Sequence, residues 1–145
     1  MREAAVKMSG PSAADVAAIA ISEIPSDRIR NIFLEYELLD ADGSRVSWSS
    51  MLFVKPKQFE YPEVKLSAKA LAEGEGRFRI ELTADRFARK VQISLEGLNL
   101  CYADAMYFDL FEGQTAAVNI VVDDPTATEK RVEDALRLLT EADLV

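Results

Sequence analysis

The sequence predicts an all-β protein, an antiparallel β-sandwich of about seven short strands with a C-terminal amphipathic helix. Three observations predict it. Apolar and polar residues alternate with period two in short runs, and those runs recur at a spacing of about 10 to 15 residues with turn chemistry between them. No helical period separates the runs, so there are no crossover helices to join parallel strands. The 145 residues, 49% hydrophobic and 29% charged, fit one globular domain with an ordinary core.

Residues Met1 to Ala14 form a lead-in without a clear period, and Val16 to Ser22 reads as a strand by its apolar run. In Asn31 to Leu39, Ile32, Leu34, Tyr36 and Leu38 share one face and Glu35 and Glu37 the other, the pattern of a half-buried strand. Asp40-Ala41-Asp42-Gly43-Ser44 supplies a turn. Val46 to Val54 then resumes the alternation with Val46, Trp48, Leu52 and Val54 on one side. Pro56 and Pro62 bracket a connector over Lys57 to Tyr61 that crosses between layers. Val64, Leu66 and Ala68 mark a fourth strand, and a loop at Glu73-Gly74-Glu75-Gly76 leads to a fifth with Phe78, Ile80 and Leu82 inward. Lys90 to Leu95 and Thr115 to Val122 complete the set. The wiring expected is Greek-key and immunoglobulin-like, with a small barrel as the structural alternative.

After Pro125 the period changes. Thr126 and Glu129 have the spacing of a capping box, and Val132, Ala135, Leu136 and Leu139 recur at helical spacing. This predicts a helix of about four turns, with Glu133 and Arg137 one turn apart on its polar side. The expected division is a lead-in over 1–14, a sandwich over 15–124 and a helix over 125–145. That helix covers its own sandwich or meets a neighbouring domain or subunit, where oligomerisation is an option.

Composition narrows the function. Seventeen basic against 25 acidic residues give a net charge of −8, so no clustered basic groove is available to nucleic acid. The chain contains no histidine, which removes Ser-His and Cys-His nucleophile pairs, histidine metal sites and the commonest general base. No phosphate loop, dinucleotide turn or Cys-x-x-Cys pair is present, so no cofactor and no metal are expected. The apolar run Ala13 to Ile21 is too short to span a bilayer, and no membrane partner is expected. The compartment stays open between cytoplasm and export.

Individual candidates follow from their positions. Asp40-Ala41-Asp42-Gly43 opens like a calcium loop, but the sixth and twelfth places hold Arg45 and Met51 where glycine and glutamate are required, so a polar hairpin turn is expected. Asp123-Asp124 suits a strand end running into a helix start. Trp48 and Tyr36 fall on inward faces and read as core. Phe59 and Tyr61 lie on the connector and are candidates for an exposed contact with glycan or a neighbouring domain, as is Tyr107; the first two could equally pin the crossing loop to the core. Cys101, the only cysteine, reads as a buried or half-buried structural thiol.

The stretch Asn31 to Pro56, NIFLEYELLDADGSRVSWSSMLFVKP, followed by Lys57-Gln58-Phe59-Glu60, resembles the C-terminal immunoglobulin-like domain of β-mannosidases, multidomain enzymes of glycoside hydrolase family two. A second block is similar too: Gly76-Arg77-Phe78, then Ala84 to Ile93, then Tyr107-Phe108-Asp109-Leu110 leading to Gly113. The resemblance covers roughly Val16 to Val122. It departs at Ala103-Asp104-Ala105-Met106, which lacks the family's asparagine, and at Glu112, which replaces a proline; the helix after Asp124 lies beyond the usual pattern. The family's two catalytic glutamates sit on a (β/α)₈ barrel of about 250 residues, which this chain is too short to contain, so no catalytic residue is carried over. The resemblance implies a non-catalytic accessory domain of a bacterial β-mannosidase, whose partners are the barrel and a neighbouring sandwich of the same enzyme. A carbohydrate-binding or protein-interaction module is the alternative. Within the last block, Asp109 is expected to accept backbone hydrogen bonds.

Overall fold

The computed structural model describes residues 4, 5, 18, 20, 22 and 24–145. The lead-in over Met1 to Ala14 and the strand expected over Val16 to Ser22 lie for the most part outside the described residues. Within them, nine strands form three antiparallel sheets: β1 (Phe33–Leu39) with β2 (Arg45–Leu52); β3 (Leu66–Gly74), β4 (Arg77–Ala84), β8 (Thr115–Val122) and β6 (Leu100–Ala103) in that order; and β7 (Phe108–Leu110), β5 (Ala88–Leu95) and β9 (Leu136–Leu139). One helix, α1 (Glu129–Ala135), precedes β9.

The larger two sheets make the sandwich. The order β3-β4-β8-β6 reproduces the A-B-E-D order of immunoglobulin-type sheets, with β7 as an extra short strand before β8. Period-two alternation turns Phe78, Ile80 and Leu82 of β4, Val91 and Ile93 of β5 and Val118 and Ile120 of β8 into one buried apolar cluster, to which α1 adds Val132. Truncating one of the larger of these to alanine costs about 2–5 kcal/mol. The β3–β4 turn needs its glycine: Gly76 has φ +66°, and a Cβ there would stand 2.7 Å from the Val122 carbonyl oxygen.

The sandwich is built from a different set of seven strands than the alternation predicts. β6 and β7 have four and three residues, too short to show a period. The expected helix over 125–145 is another correction. Thr128, not Thr126, is the N-cap, its hydroxyl accepting from Arg131 N at 3.3 Å, and the helix stops after seven residues. Leu136 turns extended and Leu136–Leu139 pair with Leu95–Gln92 of β5. Spacings of three and four among Val132, Ala135, Leu136 and Leu139 mimic a single helical stripe. Cross-strand pairing instead half-buries Leu136 and Leu138 in the core. Glu133 and Arg137 consequently never meet. Glu133 bonds Ala70 N, and Arg137 pairs with Glu96.

The β1–β2 hairpin forms outside the sandwich; Trp48 and Leu52 of β2 turn inward as expected, but the face of β1 is inverted relative to expectation. The turn is as predicted: Asp40 Oδ1 accepts from Asp42 N at 3.0 Å and Ser44 N at 2.8 Å, with Gly43 at φ +80°. The face of β1 is not. Phe33 stacks on Phe87 at 3.8 Å between ring centroids, and Glu35 accepts from Gln114 Nε2 at 3.2 Å, which puts the Glu35 side of β1 against the sandwich. Tyr36 and Leu38, expected in the core, are 53% and 54% exposed. An anchor of three stacked rings, Phe33, Phe87 and Phe111, outweighs the period-two stripe.

Candidate functional site

Polar side chains converge where the hairpin meets the β7-β5-β9 sheet. Asp109, in the middle of β7, is 3% exposed. Its Oδ2 accepts from Ser50 N at 2.9 Å and Ser50 Oγ at 2.6 Å, and its Oδ1 accepts from Lys90 N at 3.1 Å. Lys90 Nζ lies 3.4 Å from the same Oδ1. The Asp109 backbone carbonyl accepts the Trp48 indole N–H at 2.9 Å. One carboxylate and one carbonyl therefore tie β2 to β7 and β5, and the backbone bonds expected of Asp109 are present.

A second cluster adjoins the first. Arg89 Nε reaches Ser50 Oγ at 3.3 Å, and its Nη1 pairs with Glu141 Oε2, which also accepts from the Tyr61 hydroxyl at 2.5 Å. Glu141 stands in the 3₁₀ turn Glu141–Leu144, so this pair clamps the end of the chain to β5 and to the connector. Burial, then the hydrogen bond to Glu141 and its charge, push the Tyr61 phenol up to about 12. Burial pulls the Arg89 guanidinium down, but Glu141, Tyr61 and Asp109 more than offset it and the net shift is upward.

The backbone between these clusters is strained. Lys90 and Tyr107 have φ of +53° and +60°, the left-handed region that favours glycine. Lys90 sits in the β5 bulge between Ala88 and Val91, and Tyr107 N donates to Val91 O at 2.8 Å, so both strained residues lie on the β5–β7 ladder. The bulge aims Lys90 at Asp109.

The sequence-predicted contact residues separate. Phe59 is 7% exposed and packs edge-on against Tyr61 (centroids 4.9 Å apart) and Phe87 (6.5 Å), so it pins the connector to the aromatic anchor, the alternative to an exposed contact. Tyr61 is half-buried and its hydroxyl is engaged. Tyr107 is 54% exposed. Trp48 packs with the anchor, half-buried. Cys101 is exposed rather than buried, on the edge strand β6. Ser50 shares the inward face with Trp48 and was legible from alternation; Arg89 and Glu141, 52 residues apart, carry no sequence signal of their meeting.

Chemically the junction is a lock. Asp109 and Glu141 are both engaged by donors from the chain itself, whereas acid/base work on a glycoside needs carboxyls facing a substrate or water. No group of three or more acidic or thiol side chains within reach of one cation occurs among the described residues. The carboxylates, the ring stack and the clamp all fix elements to one another.

Against known families, residues 59–143 match the Ig-fold domain model of mannosidases, more than half of the chain. The chain belongs to the mannosidase Ig-fold domain family. This domain occurs in β-mannosidase and family-two glycoside hydrolase enzymes. No curated protein sequence matches the chain. The extent of the family match corrects the resemblance read from sequence: α1 and β9 lie inside the mannosidase Ig-fold domain rather than beyond it, because β9 completes the β7-β5-β9 sheet. Tyr61, Arg89, Asp109 and Glu141 also lie inside it. The block Asn31 to Pro56, with Trp48 and Ser50, lies before it and is joined to it through Asp109.

Proposed function

We propose that the chain is a structural accessory domain of a β-mannosidase, in which it supports the catalytic barrel by packing against it and the neighbouring sandwich while the barrel hydrolyses terminal β-mannosides. The observation that carries this reading is the family match over a domain whose buried carboxylates are all consumed in internal locks. The domain then contributes folded mass and surface to the enzyme and contacts no glycosidic bond. Calorimetric titration of the purified chain with manno-oligosaccharides, together with a β-mannoside hydrolysis assay, tests it. The expected result is neither saturable binding nor turnover, and turnover by the chain alone overturns it.

A second reading, a glycan-contacting module, is favoured by Tyr107, an exposed ring held at a strained φ. It requires saturable binding in the same titration, abolished by Tyr107→Ala.

A further inference from the structure

We propose that Arg89 couples two separate elements, the β1–β2 hairpin and the 3₁₀ turn Glu141–Leu144, so that seating of either one tightens the other. Arg89 is a positioning residue in this device, acting on the hairpin through Ser50 and on the turn through Glu141. The coupling belongs to the fold itself and holds whether or not the chain works inside a larger enzyme.

Side-chain contacts attach both elements to the sandwich. Among the described residues, β1 and β2 pair with each other and with no other strand. The hairpin is held by Trp48 and Ser50 on Asp109, by Arg45 and Glu35 on Gln114, and by the Phe33 ring on Phe87. The turn is closed on itself by Thr140 and Asp143, and Glu141 reaches out of it to Arg89 and Tyr61. Elements that lack a backbone ladder to the core open at lower free energy than the core does. Each is thus an open-or-seated element that a shared contact can bias.

Arg89 supplies that contact. Its Nε donates to Ser50 Oγ at 3.3 Å, and Ser50 Oγ donates in turn to Asp109 Oδ2 at 2.6 Å. Its Nη1 donates to Glu141 Oε2, which also accepts from the Tyr61 hydroxyl. One planar guanidinium, 15% exposed, spans both partners, so the pull of Glu141 fixes where Nε points. Losing Glu141 frees the guanidinium to turn toward water and takes the donor from Ser50 Oγ. Hydrogen bonds in a chain polarise one another, so the bond from Ser50 to Asp109 weakens as well. The β5 bulge makes this reach possible. Regular alternation sends neighbouring residues to opposite faces, but Arg89 and Lys90 fall in the register break between Ala88 and Val91, and both reach the junction. A second route runs beside the polar one through ring contacts, from Tyr61 to Phe59, Phe87 and Phe33.

Hydrogen exchange of the full chain under native conditions, followed by NMR, separates the routes. Protection of the Trp48 indole N–H reports opening of the hairpin, and protection of the Thr140 amide reports opening of the turn. Glu141→Gln should lower Trp48 protection about fivefold or more, although the partners of Glu141 are Arg89 and Tyr61. In a Ser50→Ala or an Arg89→Met background the same substitution should change it by less than about twofold. Ser50→Ala should lower Thr140 protection by a factor comparable to the first, because coupling is reciprocal. An effect of Glu141→Gln that is equal with and without Ser50 overturns the proposal. An effect that survives Arg89→Met assigns the link to the rings and also overturns it. So does Trp48 protection as high in the native chain as that of the Ile80 amide in the inner strand β4, since the hairpin would then open only with the whole sandwich.

Discussion

Glu133 Oε1 accepts the backbone N–H of Ala70 at 2.9 Å, and one turn earlier Glu129 Oε1 accepts that of Ala72 at 2.8 Å. Two carboxylates at i and i+4 on a short helix thereby take the place of a neighbouring strand along the open edge of β3. An edge of unpaired N–H groups is a template for aggregation, and charge placed on it is a standard defence. The helix is thus a plug for the sandwich, which is why seven residues suffice.

Glu133→Ala leaves the Ala70 N–H, on a residue only 2% exposed, without an acceptor. The expected loss is about 1–3 kcal/mol in denaturant unfolding, with Glu133→Gln losing less because an acceptor remains. Glu129→Ala should cost less than Glu133→Ala, since Ala72 is exposed. The double variant should self-associate in light scattering, where the native chain does not through this edge.

Asp109→Ala removes the acceptor shared by Ser50 and Lys90 and strands three buried or half-buried donors. A loss of about 3 kcal/mol or more is expected. Trp48 reports on it directly, because its indole N–H binds the Asp109 carbonyl: its fluorescence should shift to the red as the hairpin loosens, while far-UV circular dichroism of the sandwich persists. Unchanged Trp48 emission would mean that the ring stack alone holds the hairpin.

These two sites show what sequence makes legible. Alternation located β4, β5 and β8 because each has one face in a continuous apolar core; Asp109 was flagged only by the family resemblance of the Tyr107 to Leu110 block, since β7 is too short to show a period. Alternation misassigned Tyr36 and Leu38, since period two identifies which residues share a face but not which face meets the protein; that choice was made by Phe33 finding Phe87. β9 was hidden because four residues, Leu136 to Leu139, follow a real helix and extend its apolar spacing. The Arg89–Glu141–Tyr61 cluster needed three distant segments to be brought together, and only the fold does that.

Tyr61 gives the clamp a pH signature. Its folded pKa is raised from the unfolded value of 10 to about 12, so the native state holds the proton more tightly than the unfolded one. The stabilisation is therefore fully present below about pH 10 and is lost as pH climbs toward 12. Tyr61→Phe should flatten the fall of stability across that window; an equally steep fall in the variant would remove Tyr61 as its source.

The strain at Tyr107 predicts an unusual sign. Tyr107→Gly should leave stability unchanged or raise it by about 1 kcal/mol, because glycine adopts φ +60° freely and the lost ring is exposed. Tyr107→Val should lower it by at least as much, since a β-branched side chain tolerates that region worst. Thermal unfolding of the pair measures the difference, and a Gly variant much less stable than Val would show that the ring itself carries a contact.

The central claim, that this is an accessory domain working inside a larger mannosidase, is tested most directly by sequencing the coding region immediately upstream of Met1 in frame. The account predicts continuous coding sequence for a (β/α)₈ barrel bearing two catalytic glutamates. A stop codon directly before Met1 would contradict it and leave a free-standing sandwich.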